Sequence, residues 1–416
     1  DFYQRYKKEN HPYPSLLDPK KLNDENEEIN YNNIPAELAW EMNLPLPDRY
    51  KFVWLFMPCS GSAAMQLFFK YLNIASHAFP WEKAIKMYKD MYTYIIKDKY
   101  SIVVLSHSLN QGKNINYHKL FYMVQKKVPL LCVFRDPIER MRSSLNHPDC
   151  RNTINAWINK GKKINLNITH FENDLFPEMK YFSSDNKNRP ENNMEYILSI
   201  KEIIFPFNSA FNILEKNLLY IRYLNFSEID IENAFYTFKI LSQEFNFKIP
   251  NVKSIFKAKI NTHQGLLHFP VIFYEQLDDL KEINIIVTLT HLNTFSSNFI
   301  NITKYFYIKN MNNIVIMIKK EHFNILQKNS RLFEKYINVI SKYIEKLDGY
   351  IKNIKSTLIS ENQILNSLKS NKTLRTKIKL ILDQELKYIK QHRPDIVASW
   401  KYYQEFEKMC EELDGK

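Results

Sequence analysis

Between residues 51 and 250 the sequence repeats one pattern: a short, continuously apolar run, a polar break, then a stretch with helical spacing. Residues 51–57 read KFVWLFM and stop at Pro58, 101–105 read SIVVL, 128–134 read VPLLCVF and 217–223 read NLLYIRY. A run without alternation of apolar and polar positions is buried on both faces, as strands of a parallel sheet are. Parallel neighbours also need a crossover long enough for a helix. Helical spacing at 81–96, 117–126, 137–145 and 232–245 supplies those crossovers. The expected fold class is therefore α/β, a parallel sheet flanked by helices.

Outside this core the pattern changes. Residues 1–50 are polar and contain proline, and 20–33 are dense in Asn, Asp, Glu and Lys, so a surface arm with a short amphipathic piece at 34–42 is expected. Residues 270–274, 283–289, 304–308 and 314–318 are strand-like runs joined by polar turns with no helix between them, which predicts a small β-rich extension over 251–320. From His322 the spacing is helical, with stripes at Leu332, Tyr336, Val339, Ile340, Tyr343 and Leu347, then Leu382, Leu386 and Ile389, then Trp400, Tyr403 and Phe406. The reading is thus an arm (1–50), an α/β core (51–250), a β extension (251–320) and a helical region (321–416). Such stripes are in the main ordinary helix packing.

Composition narrows the function classes. With 25% charged and 45% hydrophobic residues in 416, the chain is not disordered, and only six glycines exclude Gly-rich low-complexity architectures. A net charge of +13 suits an anionic partner: a nucleotide, a polyanionic glycan, nucleic acid or an acidic membrane face. No nucleic-acid-binding module accompanies that charge, so nucleic acid is not the expected partner. Cys59, Cys132, Cys150 and Cys410 form no CxxC and no zinc spacing, and the histidines show no metal spacing, so no metal is expected and a reducing cytoplasm is. No apolar run approaches the roughly 18–20 residues of a membrane span. The first residue is Asp1 rather than Met, so a piece of a longer protein is expected.

Three elements carry chemistry. Ser60, Gly61, Ser62, Ala63 and Ala64 form a small-residue turn between an apolar run and a helix whose apolar face is Met65, Phe68, Phe69 and Leu72. Such a turn aims backbone N–H groups and the positive end of a helix dipole at one spot, where phosphate binds, though it is not a Walker A loop. Arg135 ends the run 128–134, the edge at which open α/β sheets bind ligands, and a guanidinium grips phosphate bidentately. Ser143, eight residues on, stands about two turns into the next helix and can reach the same anion. The structural alternative is that Asp136 caps that helix, Pro137 starts it, Arg135 pairs with a carboxylate and Ser143 is surface. His107 follows the run 101–105, and an imidazole there suits removal of a proton from a hydroxyl acceptor; an isolated histidine is otherwise more often structural.

In order and spacing these elements resemble the sulfotransferase superfamily. The resemblance covers about 51–250 and implies that Pro58-Cys59-Ser60-Gly61-Ser62 hold a donor's 5′ phosphate, that His107 is catalytic and that Arg135 and Ser143 hold a 3′ phosphate. The stretch 217–229 is similar to the strand leading into that family's YEDL segment. One residue departs: the family's loop carries a Lys where this chain has Cys59. That points away from sulfuryl transfer from PAPS unless Lys51, Lys113 or another residue supplies the cation. Residues 35–52 and 392–410 further resemble a bacterial family of capsule gene clusters loosely described as sugar transferases, among them enzymes associated with placing O-methyl phosphoramidate on capsule sugars from a CDP-linked donor. The resemblance implies a transferase moving a phosphoryl-type group to a sugar hydroxyl of capsular polysaccharide, with no cofactor beyond the donor nucleotide, acting in the cytoplasm or at the inner membrane face. A PAPS-dependent carbohydrate sulfotransferase and a non-catalytic glycan- or membrane-surface-binding protein are the alternatives.

Overall fold

The computed structural model describes residues 11–16, 30–77, 82–97, 99–106, 117–149, 163–168, 176, 178–184, 189–257, 269–278, 281–290, 296–311 and 313–415. Within them the strands are β1 (Val53–Leu55), β2 (Val103–Leu105), β3 (Val128–Phe134), β4 (Lys163–Asn165), β5 (Leu218–Asn225), β6 (Val271–Asp278), β7 (Lys281–Leu289), β8 (Phe299–Asn301) and β9 (Ile314–Lys319). The helices that bear on the argument are α1 (Ala36–Glu41), α2 (Ser62–Tyr71), α3 (Ala84–Ile96), α4 (Tyr117–Tyr122), α5 (Pro137–Leu145), α6 (Phe207–Leu214), α7 (Ala234–Phe245), α8 (Ser330–Ser356), α9 (Lys372–Glu385) and α10 (Lys401–Asp414). The chain is α/β and divides into two compact units.

The first unit comprises 1–144, 194–257 and 361–416. Its sheet has the order β2-β1-β3-β5 with every neighbouring pair parallel, as the four unbroken apolar runs predict. Both faces are covered. Leu131 and Val133 join a core with Trp54, Phe68, Phe69 and Phe238, while Phe134 turns edge-on to Phe207 of α6. On α2 the face Met65, Phe68, Phe69 is buried as its spacing predicts. β2 lies on one side of β1 and β3 on the other, so the winding direction reverses between β1 and β3. That reversal opens a crevice at the carboxyl ends of those two strands, where ligands of open α/β sheets bind.

Two expectations are corrected. Within the expected surface arm, Trp40, Leu44, Leu46 and Tyr50 are buried. The Lys119 Nζ on α4 lies 4.4 Å from the Trp40 ring centroid and donates to the Trp40 carbonyl at 2.6 Å. These side chains belong to the unit's core because they, unlike the Asn/Asp/Glu-rich run before them, gain from leaving water. The expected helical region 321–416 is also cut differently, since 361–416 fall in the first unit and α8 in the second.

The second unit comprises 145–193 and 258–360 and is built on a five-stranded mixed sheet, β4-β6-β7-β9-β8. Only β4 and β6 pair in parallel; β6-β7, β7-β9 and β8-β9 are antiparallel. The stripe Tyr336, Ile340, Tyr343 and Leu347 of α8 is fully buried against Val271, Ile285, Val287 and Ile316. That is why α8 goes with the sheet and not with the later helices. The run 304–308 is not a strand. Asn301 Oδ1 accepts from both the amide and the hydroxyl of Thr303, at 2.9 and 2.6 Å, and this side-chain capture turns the chain into a 3-10 segment, Thr303–Tyr305. Among the described residues no helix is long and apolar enough to cross a membrane.

Candidate functional site

Register alone brings the two segments expected to bind an anion together. Leu55 pairs with Cys132 in the β1-β3 ladder, so three residues further the β1 loop comes abreast of Arg135. The side chain closes the gap: Arg135 Nη1 donates to the Cys59 carbonyl at 3.1 Å and to Ser143 Oγ at 3.1 Å. Ser143, on α5, therefore meets Arg135 across two helical turns, as their spacing predicts. The rest of the structural alternative holds as well, although Ser143 is not a free surface residue. Arg135 Nε donates to Glu139 Oε2 at 2.7 Å, and Asp136 Oδ1 accepts from the Ile138 amide at 2.9 Å, capping α5.

The loop is held tightly. Gly61 is the N-cap of α2 in a left-handed conformation, φ +81°, and no side chain caps the helix. Ser62 Oγ, which could have done so, donates to the Met57 carbonyl at 2.6 Å. The first amides of α2, at Ser62, Ala63 and Ala64, are thus left with the dipole's positive end and no capping acceptor. Ser60 Oγ is buried with no hydrogen-bond partner among the described residues. A Cβ on Gly61 would stand 2.5 Å from Ile229 Cδ1 and 3.0 Å from Phe226 Cε2. Gly61→Ala is therefore expected to destabilise the first unit by about 2–3 kcal/mol, from left-handed strain plus displacement of both side chains. Scanning calorimetry measures it, and an unchanged melting temperature would show that the loop tolerates a side chain.

Several contributors were not singled out in the sequence. Phe226, just past β5, packs under Gly61 and lays its ring centroid 4.3 Å from the Arg135 guanidinium carbon. Arg140 is 1% exposed. Its Nη1 stands 4.0 Å from Glu385 Oε1 on α9, its Nε and Nη2 have no hydrogen-bond partner among the described residues, and Phe205 stacks 5.1 Å away. Glu385 also accepts from the Phe207 and Asn208 amides at the start of α6, both at 3.0 Å. Desolvation pushes the Glu385 carboxyl up to about 7 and the Arg140 guanidinium down to about 10. Desolvation likewise raises Asp136 to about 6, against the pull of the amides of Tyr403, Ile138 and Tyr402 on its carboxylate.

Both partners of the buried pair carried a sequence signal. In α5, Arg140 shares the stripe Pro137, Met141, Ser144; in α9, Glu385 continues the stripe Leu374, Ile378, Leu382. A charge at an inward helical position is the mark of a buried ion pair.

Burial pushes the Cys59 thiol up, opposed by the positive charges of Arg140, Arg135 and Arg142. Lys51, one of the cations expected to serve the loop, precedes β1, with its amide bonded to the Ser101 carbonyl at 3.0 Å, at the opposite end of the strand from the loop. Lys113 and the expected catalytic His107 lie outside the described residues. Among those described, one grouping of His and carboxylates could hold a metal, His77 with Glu82 and Asp90. There Nε2 faces Glu82 at 3.5 Å and Nδ1 faces Asp90 at 3.3 Å, while Lys86 Nζ sits 2.9 Å from each carboxylate. The Lys86 ammonium thus balances both carboxylates.

A family model described as a protein of unknown function, DUF2972, matches residues 223–413, just under half of the chain. Its span includes Phe226 and Glu385 but neither the β1 loop nor Arg135. Neither the curated proteins nor the solved structures give a match.

Proposed function

We propose that the chain is a nucleotide-donor-dependent group transferase that moves a phosphoryl-type group from a CDP-linked donor to a sugar hydroxyl, with capsular polysaccharide as the acceptor class. The observation that carries this reading is the single guanidinium of Arg135 joining the β1 loop to Ser143 at the crevice between β1 and β3. The uncapped amides of Ser62, Ala63 and Ala64 and the Arg135 guanidinium hold the donor's phosphates. In the reaction the acceptor oxygen bonds to phosphorus, the bond from phosphorus to the bridging oxygen breaks, and the electron pair leaves on the nucleotide. The loop amides and Arg135 stabilise the charge that grows there. His107, two residues beyond the end of β2, takes the hydroxyl proton in this reading, an assignment that rests on its sequence position.

The second reading, sulfuryl transfer from PAPS, draws on the contact between Arg135 and Ser143, the pair that the family resemblance assigns to a 3′ phosphate. Thermal stabilisation separates the two, because a ligand bound by the folded state raises the melting temperature. Stabilisation by CDP and CMP, with little from 3′,5′-ADP, is expected; the reverse favours the second reading. A chain indifferent to all three would instead be a glycan- or membrane-surface-binding protein. With the donor in hand, His107→Ala should reduce turnover by about 10²–10⁴-fold at unchanged donor affinity, and full turnover would remove His107 from the site.

A further inference from the structure

The hydrogen bonds of Arg135 show which of its donors a phosphate can reach. A guanidinium has five N–H donors and grips phosphate best through two parallel bonds along one edge. Nη1 is committed to the Cys59 carbonyl and Ser143 Oγ, Nε is committed to Glu139 Oε2, and Nη2 has no hydrogen-bond acceptor among the described residues. Phe226 covers one face of the plane. Each edge that includes Nη2 is therefore half occupied. On the Nη1 edge the occupant includes a backbone carbonyl fixed by the left-handed turn at Cys59. On the Nε edge it is a side chain, Glu139, itself 31% exposed.

We infer that Glu139 is a built-in competitor for the phosphate: anion binding at Arg135 is an exchange in which the ligand's two oxygens take the Nε–Nη2 edge and Glu139 swings to solvent. The neighbouring arginines follow the same pattern. Arg142 Nη1 is held 3.0 Å from Glu361 and Arg140 Nη1 4.0 Å from Glu385, so the three guanidinia whose charge reaches Cys59 are each matched by a carboxylate of the protein. Only the carboxylate on Arg135 occupies an edge the ligand needs. The consequence is specificity. A ligand must bring two oxygens in bidentate geometry and enough charge to replace a carboxylate already in place, which a phosphate monoester dianion does and a small monovalent anion does not. Glu139 acts through Arg135 and is a positioning residue for selectivity.

This inference rests on the nucleotide reading of the site, and its test separates the two. Titrations at low salt and pH 8 would use CMP and 3′,5′-ADP as probes with the wild-type chain, Glu139→Gln, Arg135→Ala and the double variant. Glutamine keeps the shape and one weak acceptor but no charge, so Glu139→Gln is expected to tighten binding of whichever probe the wild type takes by about 5–10-fold, as loss of a partly buried opposing charge implies. In the Arg135→Ala background the same change should alter affinity less than twofold. Glu139 serving only to brace Arg135 would give the opposite sign, weaker binding in Glu139→Gln, and that result or an unchanged affinity overturns the inference while leaving the nucleotide site standing. Failure of every chain to bind either probe overturns both.

Discussion

Arg140→Met is expected to destabilise the first unit by about 3 kcal/mol at pH 8, because it leaves Glu385 as a buried carboxylate without its counter-charge. Methionine keeps most of the side chain's volume, which limits the cavity contribution. The effect depends on pH in a defined direction. The folded-state carboxyl of Glu385 is raised, to about 7 from an ordinary value of 4.5, so its cost is absent below the unfolded value and grows as pH rises toward the folded one. Without Arg140 the folded value rises further. The variant's deficit should therefore shrink by about 1 kcal/mol between pH 8 and pH 5, where the carboxyl is protonated. Adding Glu385→Gln should recover about 1 kcal/mol of the loss at pH 8 and little at pH 5. Urea melts at the two pH values provide the test, and a deficit that is equal at both would mean that packing, not charge, is what Arg140 supplies.

The second large effect is on ligand binding. Arg135→Ala removes the guanidinium that joins the β1 loop to Ser143 and should weaken nucleotide binding by about 30–100-fold, as expected for a charge-assisted hydrogen-bonding group at a phosphate. The folded state should lose little, because Arg135 is bonded mainly to groups that water can satisfy instead. Calorimetric titration at fixed ionic strength reads the change, and an affinity within threefold of wild type would remove Arg135 from the nucleotide site. Arg135→Lys separates charge from geometry: a lysine keeps the charge but cannot form two parallel bonds along one edge, so only part of the affinity should return.

Much of the site could be read before folding was considered. The strand–turn–helix around Gly61 follows from an apolar run, a break of small residues and the spacing of Met65, Phe68 and Phe69. The Arg135–Ser143 contact follows from a helix that starts at Pro137. Helical and strand periodicities are local properties, so they survive in a sequence read by itself. What could not be read was which carboxylate meets which guanidinium across long stretches of chain. Arg140 and Glu385 are separated by more than two hundred residues, and nothing local to either indicates the other. The same holds for Phe226, an aromatic after a strand like many others, until the parallel pairing of β3 with β5 sets it under Gly61.

By itself, then, the sequence determined the parallel sheet, the small-residue turn and the placement of Arg135 at the end of its strand, because apolar periodicity and turn chemistry act between near neighbours. Only the tertiary structure decided that the positive charges of Arg135, Arg140 and Arg142 act together on Cys59 in the β1 loop. It also decided that 361–416 close the same unit to which 51–144 belong. Those are decisions of long-range packing, where desolvation forces each buried charge to find a partner and the fold, not the local chain, determines which partner is within reach.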